Sequence, residues 1–316
     1  MSIAEALARP QSDSAAAQGG ASGSKSAVRL TIGAPALWLA AFVALPAAVV
    51  FAISLTSPRL GIPPVEPLFA PGVGVFPEFT GGLHNYALIF SDPYFVEGLL
   101  GSLRIAASAT LICLLIAYPI AAAIARTAER WRGLLLIMVM LPFWTSFLIR
   151  IYAWITILNS NGLINTVLLD WGVIEQPLEL LYTDFAVLLG IVYAYLPFMI
   201  LPIYAVLDRI EPDVLEAAAD LGAPPIQRFF WVLLPLTWPG IAAGVLIVFV
   251  PALGEFVIPE LLGGSDYLMI GRMLWTETFQ NRDWPMAAAI AISLLVVVIG
   301  PITVARRLTR DEGAAK

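Results

Sequence analysis

Long apolar stretches alternate with short polar ones along this chain. The apolar stretches run from about Pro35 to Leu55, Leu99 to Ala123, Leu134 to Leu158, Phe185 to Val206, Pro239 to Leu262 and Met286 to Val304. A helix of about twenty residues rises about 30 Å, which matches the hydrocarbon core of a bilayer. The pattern therefore predicts an all-α membrane protein with six transmembrane helices. The fifth is expected to be broken, because Pro251, Gly254 and Pro259 fall inside it. Between the spans lie a Pro- and Gly-rich loop over 57–97, a basic turn with Arg126, Arg130 and Arg132, and a connector over 159–184. That connector holds Asp170, Glu175 and Glu179 but no Lys or Arg, and a mixed segment over 263–285 precedes the last span.

One polar interruption, from Glu211 to Pro235, has a pattern of its own. Glu211-Pro212-Asp213 reads as a helix start, since proline is tolerated in the first turn and acids there suit the helix dipole. Glu216, Ala217, Ala218, Ala219 and Asp220 follow, giving a short helix with a nearly side-chain-free face. Gly222 stands where a left-handed residue ends a helix, Pro224-Pro225 restarts a second short one, and Pro235 is expected to interrupt it. Two short helices hinged at a glycine between membrane spans form a docking element.

The spacing of this stretch resembles the cytoplasmic coupling loop of binding-protein-dependent ABC importer permeases. That family's pattern is Glu-Ala-Ala, three residues, Gly, nine residues, then Ile-x-Leu-Pro. Glu216, Ala217, Ala218, Gly222, Leu234 and Pro235 match it, with Val232 at the Ile position. The resemblance extends from about Leu30 to Arg310. Within the family the chain is most similar to the polyamine branch, the putrescine and spermidine importers, through Leu141 to Trp154, Tyr193 to Tyr204, Gly254 to Gly264 and Asn281 to Pro285. The resemblance implies the type I ABC importer permease fold over 29–310, with 211–235 as the coupling loop. It also implies a periplasmic substrate-binding protein, a second and different permease chain, and a cytoplasmic ATPase dimer that holds the ATP and Mg²⁺. No cofactor is expected in this chain, no nucleic acid is expected as a partner, and the location implied is the bacterial inner membrane.

Charge placement orients the chain. With the N-terminus inside, twelve basic residues face the cytoplasm: Arg9, Lys25, Arg29, Arg126, Arg130, Arg132, Arg209, Arg228, Arg306, Arg307, Arg310 and Lys316. Only Arg59, Arg272 and Arg282 face outward. That bias puts both termini and the Glu216 stretch in the cytoplasm. Residues 1–28, rich in Ala, Ser, Gly and Gln, read as a disordered cytoplasmic tail, and 311–316 as a second tail. Gly19 to Ser26 imitates a phosphate-binding loop, but Ser24 stands where glycine must precede the lysine, and no strand precedes it.

Composition agrees with the spans: 59% of residues are apolar, 13% are charged, and mean hydropathy is +0.86. Single residues Cys113 and His84 exclude an intrachain disulfide and multi-histidine metal chemistry. They also leave little material for the nucleophile, metal or acid–base set of a membrane-embedded enzyme. A secondary transporter driven by an ion gradient is the other alternative. It would place titratable residues near the midplane and often show internal repeats, whereas the charges inside these spans cluster toward the outer face and no repeat is visible.

Those charges are Arg104, Arg150, Glu255 and Glu260. A charge within hydrocarbon costs at least about 2.5 kcal/mol on insertion scales, so each calls for a partner or a water-filled path. Two readings of Glu255 stand: an ion pair with Arg104 or Arg150 that fixes helix packing, or a pathway carboxylate that attracts a polyamine cation. Trp144, Tyr152, Tyr193 and Tyr195 could line that route by cation–π contact, or pack and anchor as membrane aromatics commonly do.

Overall fold

A computed structural model describes residues 32–33, 35–70, 78–264 and 267–314, with only the backbone for Ala70, Pro301 and 304–314. The expected N-terminal tail and the phosphate-loop look-alike lie outside these residues, as do the last two residues of the expected C-terminal tail. The chain divides into two compact units, residues 1–53 and 54–316.

Helix α1 (Pro35–Ser54), which makes up most of the described part of the first unit and ends one residue beyond it, is long and apolar enough to cross a membrane. A five-residue π-type turn at Ala40–Ala44 widens it ahead of Pro46. In the second unit, α2 (His84–Ser91) leads into α3 (Pro93–Arg126). The start of α3 is fixed by Pro93 at its first position and by Asp92, whose carboxylate accepts the Tyr94 N–H at 2.9 Å. Then come α4 (Glu129–Met140), α5 (Phe147–Leu158), α6 (Leu163–Asp170) and α7 (Asp184–Leu207). Helix α8 (Pro212–Asp220) and α9 (Pro225–Leu253) carry the Glu216 stretch. The chain closes with α10 (Val257–Leu262), α11 (Ile270–Trp275) and α12 (Trp284–Ala314). Two two-residue strands, β1 (Phe69–Ala70) and β2 (Glu78–Phe79), pair antiparallel in the loop ahead of α2 and are the only sheet among the described residues.

The centre of the second unit is a trio of helices, α3, α7 and α9. Ser102, Ala106, Ala109, Cys113, Ala117 and Ala121 recur every three or four residues along α3 and are fully buried. Such a stripe lets helices approach closely, which matters in lipid because lipid tails are as apolar as leucine and packing replaces the hydrophobic effect. On α9, a Cβ added at Gly240 would sit 2.7 Å from the Pro202 carbonyl oxygen, so α7 and α9 meet backbone to backbone there. The Tyr118 and Thr237 hydroxyls, 3.1 Å apart, join α3 to α9 inside this core.

The expected spans change in three places. The third is not continuous: Pro142 starts a 3₁₀ turn over Leu141–Trp144, and Thr145 and Ser146 are extended, separating α4 from α5. The fifth begins far earlier than Pro239. Pro235 does not interrupt it, because a π-type turn over Phe229–Leu233 opens the ladder just ahead and relieves the clash of the proline ring. The result is one 29-residue helix. The break expected at its far end is present but starts at Gly254, with Pro251 held inside the helix. The connector over 159–184 is also more ordered than its composition implies. Asn165 lies fully buried, donating to the Asn159 and Leu178 carbonyls and accepting the Leu178 N–H at 2.7 Å.

Candidate functional site

Two places combine the sequence-derived candidates, one at each end of α9. At its start, α8 ends in a Schellman turn. Gly222 has φ +84, its N–H reaches Ala219 O at 2.8 Å, and the Ala223 N–H reaches Ala218 O at 3.1 Å. Nothing lies within 4 Å of a Cβ built at Gly222, so the glycine serves backbone conformation rather than space. Leu215 packs toward the core. Glu216, Ala217 and Asp220 are exposed, and Ala218 is half-buried. Leu221 is 89% exposed and Ile226 73% exposed, so the turn presents bare apolar side chains beside a carboxylate. Val232 and Leu234 are half-buried on the first turns of α9, while Pro235 is exposed. Arg132 steadies the root of this element. It donates to the Asp208 carboxylate at 2.6 Å and to the Thr127 carbonyl at 2.8 Å, tying the α3–α4 corner to the end of α7.

At the other end, the break after Leu253 exposes a carboxylate to a defined set of partners. Glu255 Oε2 accepts the Tyr195 hydroxyl at 2.6 Å, and Oε1 accepts the Val257 N–H at 3.2 Å, capping α10. Gly271 of α11 packs on this break, and a Cβ there would strike the Gly254 and Glu255 carbonyls. Phe256 stacks on Trp275 with centroids 4.6 Å apart. Further along, Glu260 pairs with Arg272 Nε at 2.7 Å, and Arg272 also donates to the Gly264 carbonyl at 2.7 Å. These side chains and Tyr182 and Tyr267 border an open cleft of about 810 Å³.

Of the two readings of Glu255, the ion pair with Arg104 or Arg150 is not formed among the described residues. Arg104 pairs instead with Asp184 at 2.6 Å, and the other Asp184 oxygen accepts the Tyr267 hydroxyl at 2.7 Å. Burial, then the Asp184 carboxylate, push the Tyr267 hydroxyl far above its ordinary pKa, so it remains a donor to that carboxylate. The Arg104–Asp184 pair is about half exposed or more at both ends, so it orients helices more than it stabilises them. Arg150 has no carboxylate partner among the described residues. Its guanidinium lies 5.7–5.9 Å from the Phe143, Phe147 and Tyr193 ring centroids.

Of the six pathway candidates, Glu255 and Tyr195 touch, and Glu260 lies on the cleft beside Arg272. Tyr193 packs edge-on against Trp154 at 5.6 Å, while Trp144 and Tyr152 are exposed on α4–α5. Asp184, Asp208, Arg272 and Tyr267 hold these sites together and do not stand out in the sequence. Asp184 alone carries a signal, as an acid in the first turn of a span near the depth of Arg104.

The family described as "Binding-protein-dependent transport system inner membrane component" matches residues 28–307. The chain is 40% identical over 270 residues to the spermidine/putrescine transport system permease protein PotB of Haemophilus influenzae, covering 85% of this chain and 90% of that one. It is 42% identical over 223 residues to PotB of Escherichia coli, covering 71% and 81%. A crystal structure of a bacterial ABC transporter that imports the acidic polysaccharide alginate contains a chain of similar fold. The TM-score is 0.64 at 19% identity, over 89% of this chain and 96% of that one. An inward-facing methionine transporter, MetNI, is similar at a TM-score of 0.52 and 18% identity, over 70% and 98%.

Proposed function

We propose, because this chain belongs to the family of binding-protein-dependent transport system inner membrane components, that the solute its importer carries is a polyamine of the spermidine or putrescine type. As a member of that family the chain is a permease subunit of an ABC importer rather than an enzyme, which answers the ion-gradient alternative. The observation that carries the coupling half of the reading is the turn at Gly222. A short helix ends there in a left-handed residue, offering Glu216, Ala217 and Leu221 to solvent in the family's spacing. An ATPase subunit receives this element; ATP and Mg²⁺ stay with that subunit, and work is delivered to α9 through the loop.

The polyamine half rests on relatives named for spermidine and putrescine and on where the carboxylates stand. Glu255 sits at a break in a membrane helix, and irregular backbone at such depth is tolerated where it lines a cavity or is buried in protein. Glu260 borders the cleft but is paired with Arg272, which leaves Glu255, of these two acids, as the carboxylate with no cationic partner among the described residues. A second permease chain completes the pathway, and a periplasmic protein delivers the solute. The test is transport by the assembled importer in proteoliposomes with ATP inside the cytoplasmic compartment. Spermidine or putrescine accumulates about tenfold or more over an uncharged solute of similar size, the factor about 1.4 kcal/mol of discrimination gives. Equal uptake of both ends the polyamine reading.

The basic residues orient the subunit with both termini in the cytoplasm. A reporter fused after Lys316 then behaves as cytoplasmic, and one inserted within 159–183 as periplasmic. The opposite pattern sinks this topology.

A further inference from the structure

The cytoplasmic end of α3, the middle of α8 and the first turns of α9 enclose a cleft of about 460 Å³, lined by Arg126, Leu215, Pro225, Arg228, Phe229 and Leu233. Neither arginine is in an ion pair among the described residues, in contrast to Arg132 close by. The Arg228 Nε is buried without an acceptor. A guanidinium N–H shut away from water and left unbonded is unfavourable, and a native structure offers few such atoms without reason. Among the described residues, Asp213, Glu216 and Asp220 of α8 are not walls of this cleft, and Asp208, which borders the neighbouring cavity with Arg126, is taken by Arg132. We propose that this cleft binds the phosphate of an anionic phospholipid headgroup.

Three features select a lipid over a free anion. Arg126 is the last residue of one membrane-spanning helix and Arg228 lies in the first turn of another, so both mark the same end of neighbouring spans, where apolar chain gives way to polar. Basic pockets between spans at that level suit anionic headgroups, and guanidinium forks match phosphate oxygens two at a time. The other four walls are apolar, which suits glycerol and the first acyl carbons and gives nothing to a bare phosphate. The volume, against about 30 Å³ for one water molecule, accommodates a phosphate with its glycerol. A lipid held there links the ends of α3 and α9 directly beneath α8, so the lipid composition of the membrane acts on the loop. This inference does not depend on which solute is carried.

The experiment is native mass spectrometry of the full chain exchanged from vesicles of phosphatidylglycerol or of phosphatidylcholine. The unaltered chain retains one phosphatidylglycerol under conditions that strip phosphatidylcholine. Arg126→Gln with Arg228→Gln weakens that retention about thirtyfold, the effect expected from two basic residues at an anionic surface. Arg126→Lys with Arg228→Lys keeps the charge without the fork and retains clearly more lipid than the glutamine pair, which separates charge from misfolding. Equal retention by the glutamine pair, or of both lipids, overturns the proposal. So does displacement of the lipid by millimolar inorganic phosphate, which marks a free-anion site, or by the ATPase subunits, which marks a protein contact.

Discussion

Glu216→Lys and Gly222→Leu each abolish ATP-driven uptake while the chain still reaches the membrane. Glu216 is exposed and makes no ion pair among the described residues, so reversing its charge leaves the fold of this chain intact. The loss then falls on the contact with the ATPase. Gly222 acts differently. Its φ of +84 is a conformation that L residues with branched or bulky side chains adopt only at a cost of about 1–2 kcal/mol, and the space around it is empty. Leucine there shifts the backbone and dismantles the Schellman turn, so the apolar tip at Leu221 no longer presents itself in place. Gly222→Asn separates this cause from bulk, because asparagine tolerates the left-handed region. It retains a substantial part of the activity where leucine leaves less than about a tenth, as 1.4 kcal/mol of misplacement would give. Uptake rates and co-purification of the ATPase subunits are the measurements. Near-normal uptake by both Glu216→Lys and Gly222→Leu removes this turn from the coupling mechanism.

Glu255→Gln lowers polyamine uptake between about tenfold and sixtyfold, with the chain present at its usual level. The upper figure follows from about 2.5 kcal/mol for charge in hydrocarbon at 1.4 kcal/mol per tenfold. The lower allows for solvent at a half-buried carboxylate. Since the carboxylate bonds Tyr195 and the Val257 N–H rather than an arginine, neutralising Arg104 or Arg150 does not rescue the variant. Tyr195→Phe supplies the control. It removes the 2.6 Å hydrogen bond and leaves the charge, so uptake falls by less than in Glu255→Gln. If Tyr195→Phe and Glu255→Gln lose uptake and chain level alike, Glu255 holds the break in shape and does not face the cation.

The covalent pattern of the chain made some of this readable and hid the rest. The Gly222 terminus was legible because a left-handed cap depends on residues adjacent in sequence. The break in the fifth span was legible in kind but displaced, since Pro251 is accommodated inside α9 while Gly254 ends it. Pro235 misleads by the same local rule, because the π-type turn that relieves it involves a backbone shift no residue type announces. The charged partners were not readable at all. Arg104 and Asp184 stand eighty positions apart, and which acid meets which arginine is decided by how α3, α7 and α11 pack. Tyr195 and Glu255, sixty apart, were both candidates, yet nothing in their spacing joins them.

The glycine at position 240 bears on the mechanics of the whole subunit. Where two helices touch through side chains, rotamers can yield and one helix can slip along the other. At Gly240 the surface of α9 is backbone against the Pro202 carbonyl and the Ile203 Cα, and the Tyr118–Thr237 contact pins α3 to the same region. Rigid parts of this kind have no slack. A push received at the Gly222 turn is therefore shared by α3, α7 and α9 as one lever. The compliant joint nearest the carboxylate is the three-residue stretch from Gly254 to Phe256, where the helical ladder is already open.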